Sequence, residues 1–167
     1  MMICAGFAFT SCEKEEIGGT ATESMAGDWY VTCDAVDGDG NIVPGLEDPF
    51  EIGRFHVLTY NTAANASDQL YVDDLGDFWE FKVKTACNIS SLTFATNGAV
   101  ANEAYEDCDV TIIGGKILPK AGRQNNGSPA DSIVFYVSFS DDPYPAANGY
   151  TNYKISGVRY SGLVEND

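Results

Sequence analysis

The chain has 167 residues, enough for one domain with a sizeable core, and it carries 25 Asp and Glu against 9 Lys and Arg, a net charge of -16. A surface this acidic repels phosphate backbones and so argues against a nucleic-acid partner. Aromatic residues at 12% with only 20% charged residues argue against a disordered chain, and no run reaches the ~20 apolar residues of a membrane-spanning helix.

Residues 1–11, MMICAGFAFTS, hold no charged side chain and read as the apolar core of a secretory signal peptide. Phe9-Thr10-Ser11-Cys12 resembles the lipobox of bacterial lipoproteins, with Phe9 where Leu is usual; the resemblance implies cleavage before Cys12 and acylation of that residue. Lys14-Glu15-Glu16 resembles the Lys-acidic-acidic signal that sends Bacteroidetes lipoproteins to the cell surface. The expected location is therefore the outer membrane, with the protein lipid-anchored through Cys12 and facing the exterior. Small and polar residues from Ile17 onward read as a tether. The expected division is a signal peptide over 1–11, acylated cysteine and tether over 12–25, and one folded domain over 26–167.

The folded part reads as strands and turns. DWYVTCDA puts Trp29, Val31, Cys33 and Ala35 on one face. In RFHVLTY, Phe55 and Val57 oppose His56, Leu58 and Tyr60. QLYVDD is a short strand. DFWEFKVKT sets Trp79, Phe81 and Val83 against Glu80, Lys82 and Lys84. SSLTFAT, CDVTIIGGKI, DSIVFYVSF and YTNYKISGVRY complete eight strands rich in β-branched and aromatic residues. Turn signals separate them, among them DGDGN, DDLGD and DDPYPAANG. No segment of helical length carries a 3.6-residue period; Ala101 to Asp107 offers at most one helical turn. The expected fold is all-β: an eight-stranded antiparallel barrel, with a β-sandwich as the alternative that periodicity alone leaves open.

Gly27-Asp28-Trp29 resembles the Gly-x-Trp opening of lipocalins, and Arg159 lies in the last strand. In that fold a first-strand Trp closes one end of the barrel beneath a last-strand Arg, so the resemblance implies a lipocalin-like, calycin-type barrel closed by Trp29 and Arg159. The chain is also similar to a family of Bacteroidetes lipocalin-like lipoproteins described as lipid-binding hydrolases. SCEKEE, GDWYV, IIGGKI, DSIVFYVSFSDD and SGVRYSG carry the likeness, which covers much of residues 12–165. It brings no catalytic motif to place on this chain.

Chemistry has few candidates. His56 is the single histidine, and a lone strand histidine is more often packed or solvated than catalytic. No Gly-x-Ser-x-Gly elbow is present. The pairs Asp73-Asp74 and Asp141-Asp142 read as solvated turns. Asp37, Asp39, Asn41 and Asp48 match ligand positions of a calcium loop, but Ile42 stands where the sharp turn needs Gly, so a plain hairpin turn is expected. No catalytic residue, metal site or cofactor is assigned. Cys33 shares the Trp29 face and reads as buried; Cys87 and Cys108 lie near turns and are expected to be accessible. Which pair of the three bridges, if any, stays open. The two glycines of IIGGKI suggest a bulge or a close backbone approach.

The expected function is binding of a lipid or other small apolar ligand, with Trp79, Phe81, Phe135 and Tyr153 as candidate ligand contacts. The alternatives are a subunit of a surface nutrient-capture complex, with protein partners, and a hydrolase acting on lipid esters.

Overall fold

The computed structural model describes residues 19–166. Ten strands and one short helix follow in chain order. They are β1 (Gly27–Val36), β2 (Ile42–Glu47), β3 (Phe55–Asn61), β4 (Gln69–Asp73), β5 (Lys82–Asn88), β6 (Thr93–Ala95), β7 (Val100–Ala101), β8 (Asp109–Arg123), β9 (Pro129–Phe139), α1 (Tyr144–Asn148) and β10 (Asn152–Arg159). Strands β1, β3, β4, β5, β6, β8, β9 and β10 pair in that order, all antiparallel, and β10 returns to β1. Eight strands thus close into a barrel, and the sandwich alternative falls away. The closing ladder runs from Trp29 opposite Arg159 to Val36 opposite Asn152.

The period-two faces are those of the sequence. Trp29, Val31, Cys33 and Ala35 are all buried, as are Phe55, Val57, Phe81, Val83, Ile133, Phe135, Val137 and Phe139. They meet in one continuous core inside the barrel. An eight-stranded barrel is only wide enough for side chains or one small ligand. Here side chains as large as Trp29, Tyr153, Phe81 and Phe135 occupy that space.

Four local readings need correction. The strand expected from Asp77 starts only at Lys82, because Glu80 adopts a left-handed φ of 52° and breaks the extended run. Strand β2 was hidden by Pro44 and Gly45; it is an exposed edge paired only to β1. Strand β7 lies where a turn is expected, and the rest of Ala101 to Asp107 is bends and turn without a helix. The turn DDPYPAANG contains α1, which ends at Gly149 in the left-handed region (φ 76°). In IIGGKI both expectations hold. The β8–β9 register shifts between Ile113 and Lys116, Gly114 has φ 64°, and a Cβ on Gly115 would meet the Phe94 carbonyl.

The expected tether also ends earlier than residue 25. Glu23–Met25 form a 3-10 turn, and Thr22 and Met25 are wholly buried. Met25 joins the barrel core, so the fold begins by Thr22. The expected signal peptide, Cys12 and the first part of the expected tether lie outside the described residues.

This N-terminal turn completes one end of the barrel. The Arg159 guanidinium sits 4.4 Å from the Trp29 ring centre, and its Nη1 donates to the Ala26 carbonyl at 2.7 Å. Its Nε lies 3.4 Å from Asp131 Oδ2. Trp29 Nε1 donates to Thr59 Oγ1 at 2.8 Å, and that hydroxyl donates to the Met25 carbonyl at 2.6 Å. The Gly-x-Trp spacing has a steric reason: a Cβ on Gly27 would run into the Arg159 guanidinium and press on the indole. Stacking a partly desolvated guanidinium on an indole contributes about 1–2 kcal/mol, and each hydrogen bond about 1 kcal/mol more.

Gly27→Ala and Arg159→Met should therefore each lower the unfolding free energy by about 1–3 kcal/mol in urea melts. Because both act on one stack, Gly27→Ala should cost less in the Arg159→Met background than alone. Additive costs would show that the two residues act separately.

Candidate functional site

The other end of the barrel is the mouth, formed by residues 37–54, 74–81, 96–108 and 140–151 between strands. The sequence loads these loops with aromatic residues. Phe50 lies 5.9 Å from Phe78 and Trp79, 5.5 Å from Tyr144 and 5.6 Å from Tyr153, centre to centre. Trp79 stacks on Phe139 at 4.9 Å with an interplanar angle of 11°. Phe78 contacts Phe55, Phe139 and Tyr153. These rings form a crown over the core. Its outer edge is open: Tyr144 is 47% exposed. Between Leu46, Pro49, Phe50, Tyr144, Asn148 and Tyr150 lies a recess of about 330 Å³ that presents both apolar and polar surface.

Asp74 holds the crown in place. Its side chain is wholly buried at the start of the loop that carries Phe78 and Trp79. One oxygen accepts the backbone N–H of Gly76 at 3.0 Å and of Phe81 at 2.8 Å. The other accepts those of Phe78 at 3.2 Å and Trp79 at 2.7 Å. Burial pushes the Asp74 carboxyl up, and the four amide donors work against that rise. Asn102, also buried, latches the end of the same loop: its Nδ2 donates to the Glu80 carbonyl and its Oδ1 accepts from the Lys82 N–H. The expectation that Asp73-Asp74 is a solvated turn is thus corrected. Asp73 also has partners, accepting from Tyr60 OH at 2.8 Å and from the Leu75 N–H.

Asp141 and Asp142 are engaged as well. Trp79 Nε1, Tyr105 OH and Cys108 Sγ donate to Asp141 at 3.2, 2.7 and 3.2 Å. Partial burial works upward on this carboxyl, but those donors outweigh it and hold it below the ordinary value. Asp142 accepts from Tyr153 OH at 2.6 Å, and Tyr153 OH meets Tyr150 OH at 2.7 Å. Burial, with Asp142 and Tyr150 close by, keeps the Tyr153 phenol well above its usual range. The acidic pair therefore pins both the indole of the crown and the phenol beneath it.

The four candidate ligand contacts fall at different depths. Trp79 is half-buried in the crown, and Tyr153 lies wholly buried directly under it. Phe81 is wholly buried against Phe139. Phe135 is deeper still, beside Phe94. Trp79 and Tyr153 belong to one cluster with Phe50, Phe78 and Tyr144, which the sequence reading missed. The alternating pattern exposes the inward strand faces, whereas Phe50 sits in a loop, Tyr144 opens the short α1, and Phe78 falls on the opposite parity of the segment read as a strand.

His56 lies on the barrel's outer face. Its Nδ1 is 2.7 Å from Asp28 Oδ1, and its ring packs against Tyr30 and Tyr160 at 5.1 and 4.7 Å. Among the described residues no Ser, Thr or Cys side chain hydrogen-bonds to it, so the His–Asp pair has no nucleophile beside it. The DGDGN stretch is a hairpin turn between β1 and β2: Asp37 Oδ1 accepts the N–H groups of Asp39 and Asn41. Those bonds hold the Asp37 carboxyl below its ordinary value, Asn41 contributing most. Asp48 is likewise occupied by the N–H groups of Ile52 and Gly53. Cys33, Cys87 and Cys108 are free thiols. Cys33 is buried as expected, but Cys108 is buried too, contrary to its expected accessibility; only Cys87 is half-exposed.

A closed antiparallel barrel with one end sealed by a Trp–Arg stack and the other crowned by aromatic loops is a lipocalin-like architecture. The chain belongs to the family described as "Lipid-binding putative hydrolase", whose model matches residues 14–164. No curated protein matches it. The fold and the family together support a lipid-binding role.

Asp74→Ala should cost about 3 kcal/mol or more, because four loop amides lose a shared buried acceptor. The loss should appear first in the near-ultraviolet signal and in Trp79 emission, with the far-ultraviolet strand signal retained at low denaturant. Unchanged aromatic signals would mean that Asp74 does not hold the crown.

Proposed function

We propose that the protein is a lipid-anchored surface lipoprotein that takes the apolar part of a lipid, or another small apolar molecule, at the mouth of its barrel. The observation that carries this reading is the recess opening beside the aromatic crown, above an interior already filled with side chains. In this reading Phe50, Tyr144 and Tyr150 are the walls, and Trp79 and Tyr153 pack behind Phe50. Phe81 and Phe135 lie deeper, in the core. Exposed aromatic edges favour ring and chain contacts, and burying apolar surface contributes roughly 25 cal/mol per Å².

The anchoring half of the proposal rests on Ser11-Cys12 and the acidic run after Lys14. Glu23–Met25 enter the fold at the end sealed by Trp29 and Arg159. A tether from Cys12 would thus attach at the sealed end and leave the mouth facing away from the membrane.

N-phenyl-1-naphthylamine should brighten on binding the Cys12→Ala protein and be displaced by a bacterial lipid extract. Tyr144→Asp, which sets a charge on the wall, should weaken uptake by about tenfold or more. Equal uptake by wild type and Tyr144→Asp would rule out the mouth. In cells, Cys12→Ala should convert membrane-bound protein to a soluble or uncleaved form; unchanged anchoring would refute the lipoprotein assignment.

A further inference from the structure

The chain has three arginines against 25 acidic residues, and two of the three line one recess. Arg159 is consumed by the sealed end. Arg54 and Arg123 are 69 positions apart in sequence (123 minus 54), yet both border a hollow of about 160 Å³ on the outer face of β1 and β10. Thr32, Ser156 and Gln124 also line it, and among the described residues none of its lining is acidic.

Among the described residues neither guanidinium is paired with a carboxylate. Among the described residues the ion pairs are His56–Asp28 and Arg159–Asp131. Arg54 lies over the Tyr30 ring at 5.5 Å, and Tyr30 is in turn braced by His56 and Tyr160. Arg123 donates one N–H, from Nη1, to the Gly127 carbonyl within its own hairpin at 3.1 Å. A guanidinium carries five N–H donors in a fixed fork. Each arginine is thus positioned by one contact and keeps most of its donors uncommitted. Two exposed arginines bordering one recess, with no carboxylate partner among the described residues, stand out in a chain this acidic.

We propose that this recess binds a small oxyanion of phosphate or carboxylate type, held between Arg54 and Arg123. Guanidinium groups match the planar pairs of oxygens in both anions, and charge-assisted bonds of this kind are about twice as strong as neutral ones. The volume suits the anionic head of a molecule whose remainder extends into solvent. The site is separate from the mouth: it shares no lining residue with the recess there. It stands whether or not the mouth binds lipid. Two sources carry this chemistry, a lipid headgroup and a soluble phosphate or carboxylate.

The test is an amide chemical-shift titration of the Cys12→Ala protein with inorganic phosphate, with acetate, and with bicelles of phosphatidylglycerol against phosphatidylcholine. Saturable shifts at Thr32, Ser156 and Gln124 are expected. Arg54→Gln or Arg123→Gln should weaken them about tenfold each, and the double variant should abolish them, with the rest of the amide spectrum unchanged. Response to phosphate or acetate assigns a soluble anion; response only to phosphatidylglycerol assigns a headgroup. Either supports the site if it depends on the arginines. The proposal is overturned if no anion shifts these amides, or if the double variant responds like wild type.

Discussion

The constraint on which the rest depends is the space inside the barrel. Closing eight strands leaves an interior that side chains can just fill, and here they do. Trp29, Tyr153, Phe81 and Phe135 are wholly buried in it. The barrel is therefore a packed core with two differently finished ends. One end is sealed by the Arg159–Trp29 stack, the Thr59 relay and Met25 from the N-terminal turn. The other is finished by loop aromatics, and apolar surface remains on offer there. That is why the lipid-binding role is proposed for the mouth and not for the interior.

The mouth achieves order by an indirect route. Its aromatic rings are placed by polar atoms that the rings themselves help to bury. Asp74 collects four backbone amides so that Phe78 and Trp79 point into the crown, and Asp141 and Asp142 fix the Trp79 indole and the Tyr153 phenol. Buried carboxylates are costly unless fully bonded, which makes this loop both well defined when its bonds are made and easily unsettled when one is removed. The same division of labour recurs on the outer face, where Tyr30 positions Arg54 without neutralising it.

Much of the barrel could be read from the chain alone because strand burial has a period of two. Trp29 to Ala35 and Ile133 to Phe139 show it plainly, and each of the eight barrel strands overlaps a segment read as a strand, although β8 runs on to Arg123, into an expected turn. The failures share a cause. Asp74 and Asn102 look like solvated turn residues, and Asp141, exposed in a turn as expected, also bonds Trp79, Tyr105 and Cys108; nothing in a sequence distinguishes a carboxylate bonded to water from one bonded to its own loop. Alternation across Trp79, Phe81 and Val83 concealed the left-handed Glu80 between them. Thr22 and Met25 sat in a stretch of small polar residues whose composition resembles a tether. Arg54, just before β3, and Arg123, at the end of β8, border one recess only through the successive pairing of β3, β1, β10, β9 and β8, which no local pattern announces.

The most direct measurement is paramagnetic relaxation in the amide spectrum of the soluble protein with a fatty acid carrying a nitroxide on its acyl chain. Mouth binding predicts selective broadening at Phe50, Trp79, Tyr144 and Tyr150, with the Phe135 and Ile155 amides sharp. Broadening centred on Phe94, Phe135 and Ile155 would place the chain inside the barrel and contradict a packed interior.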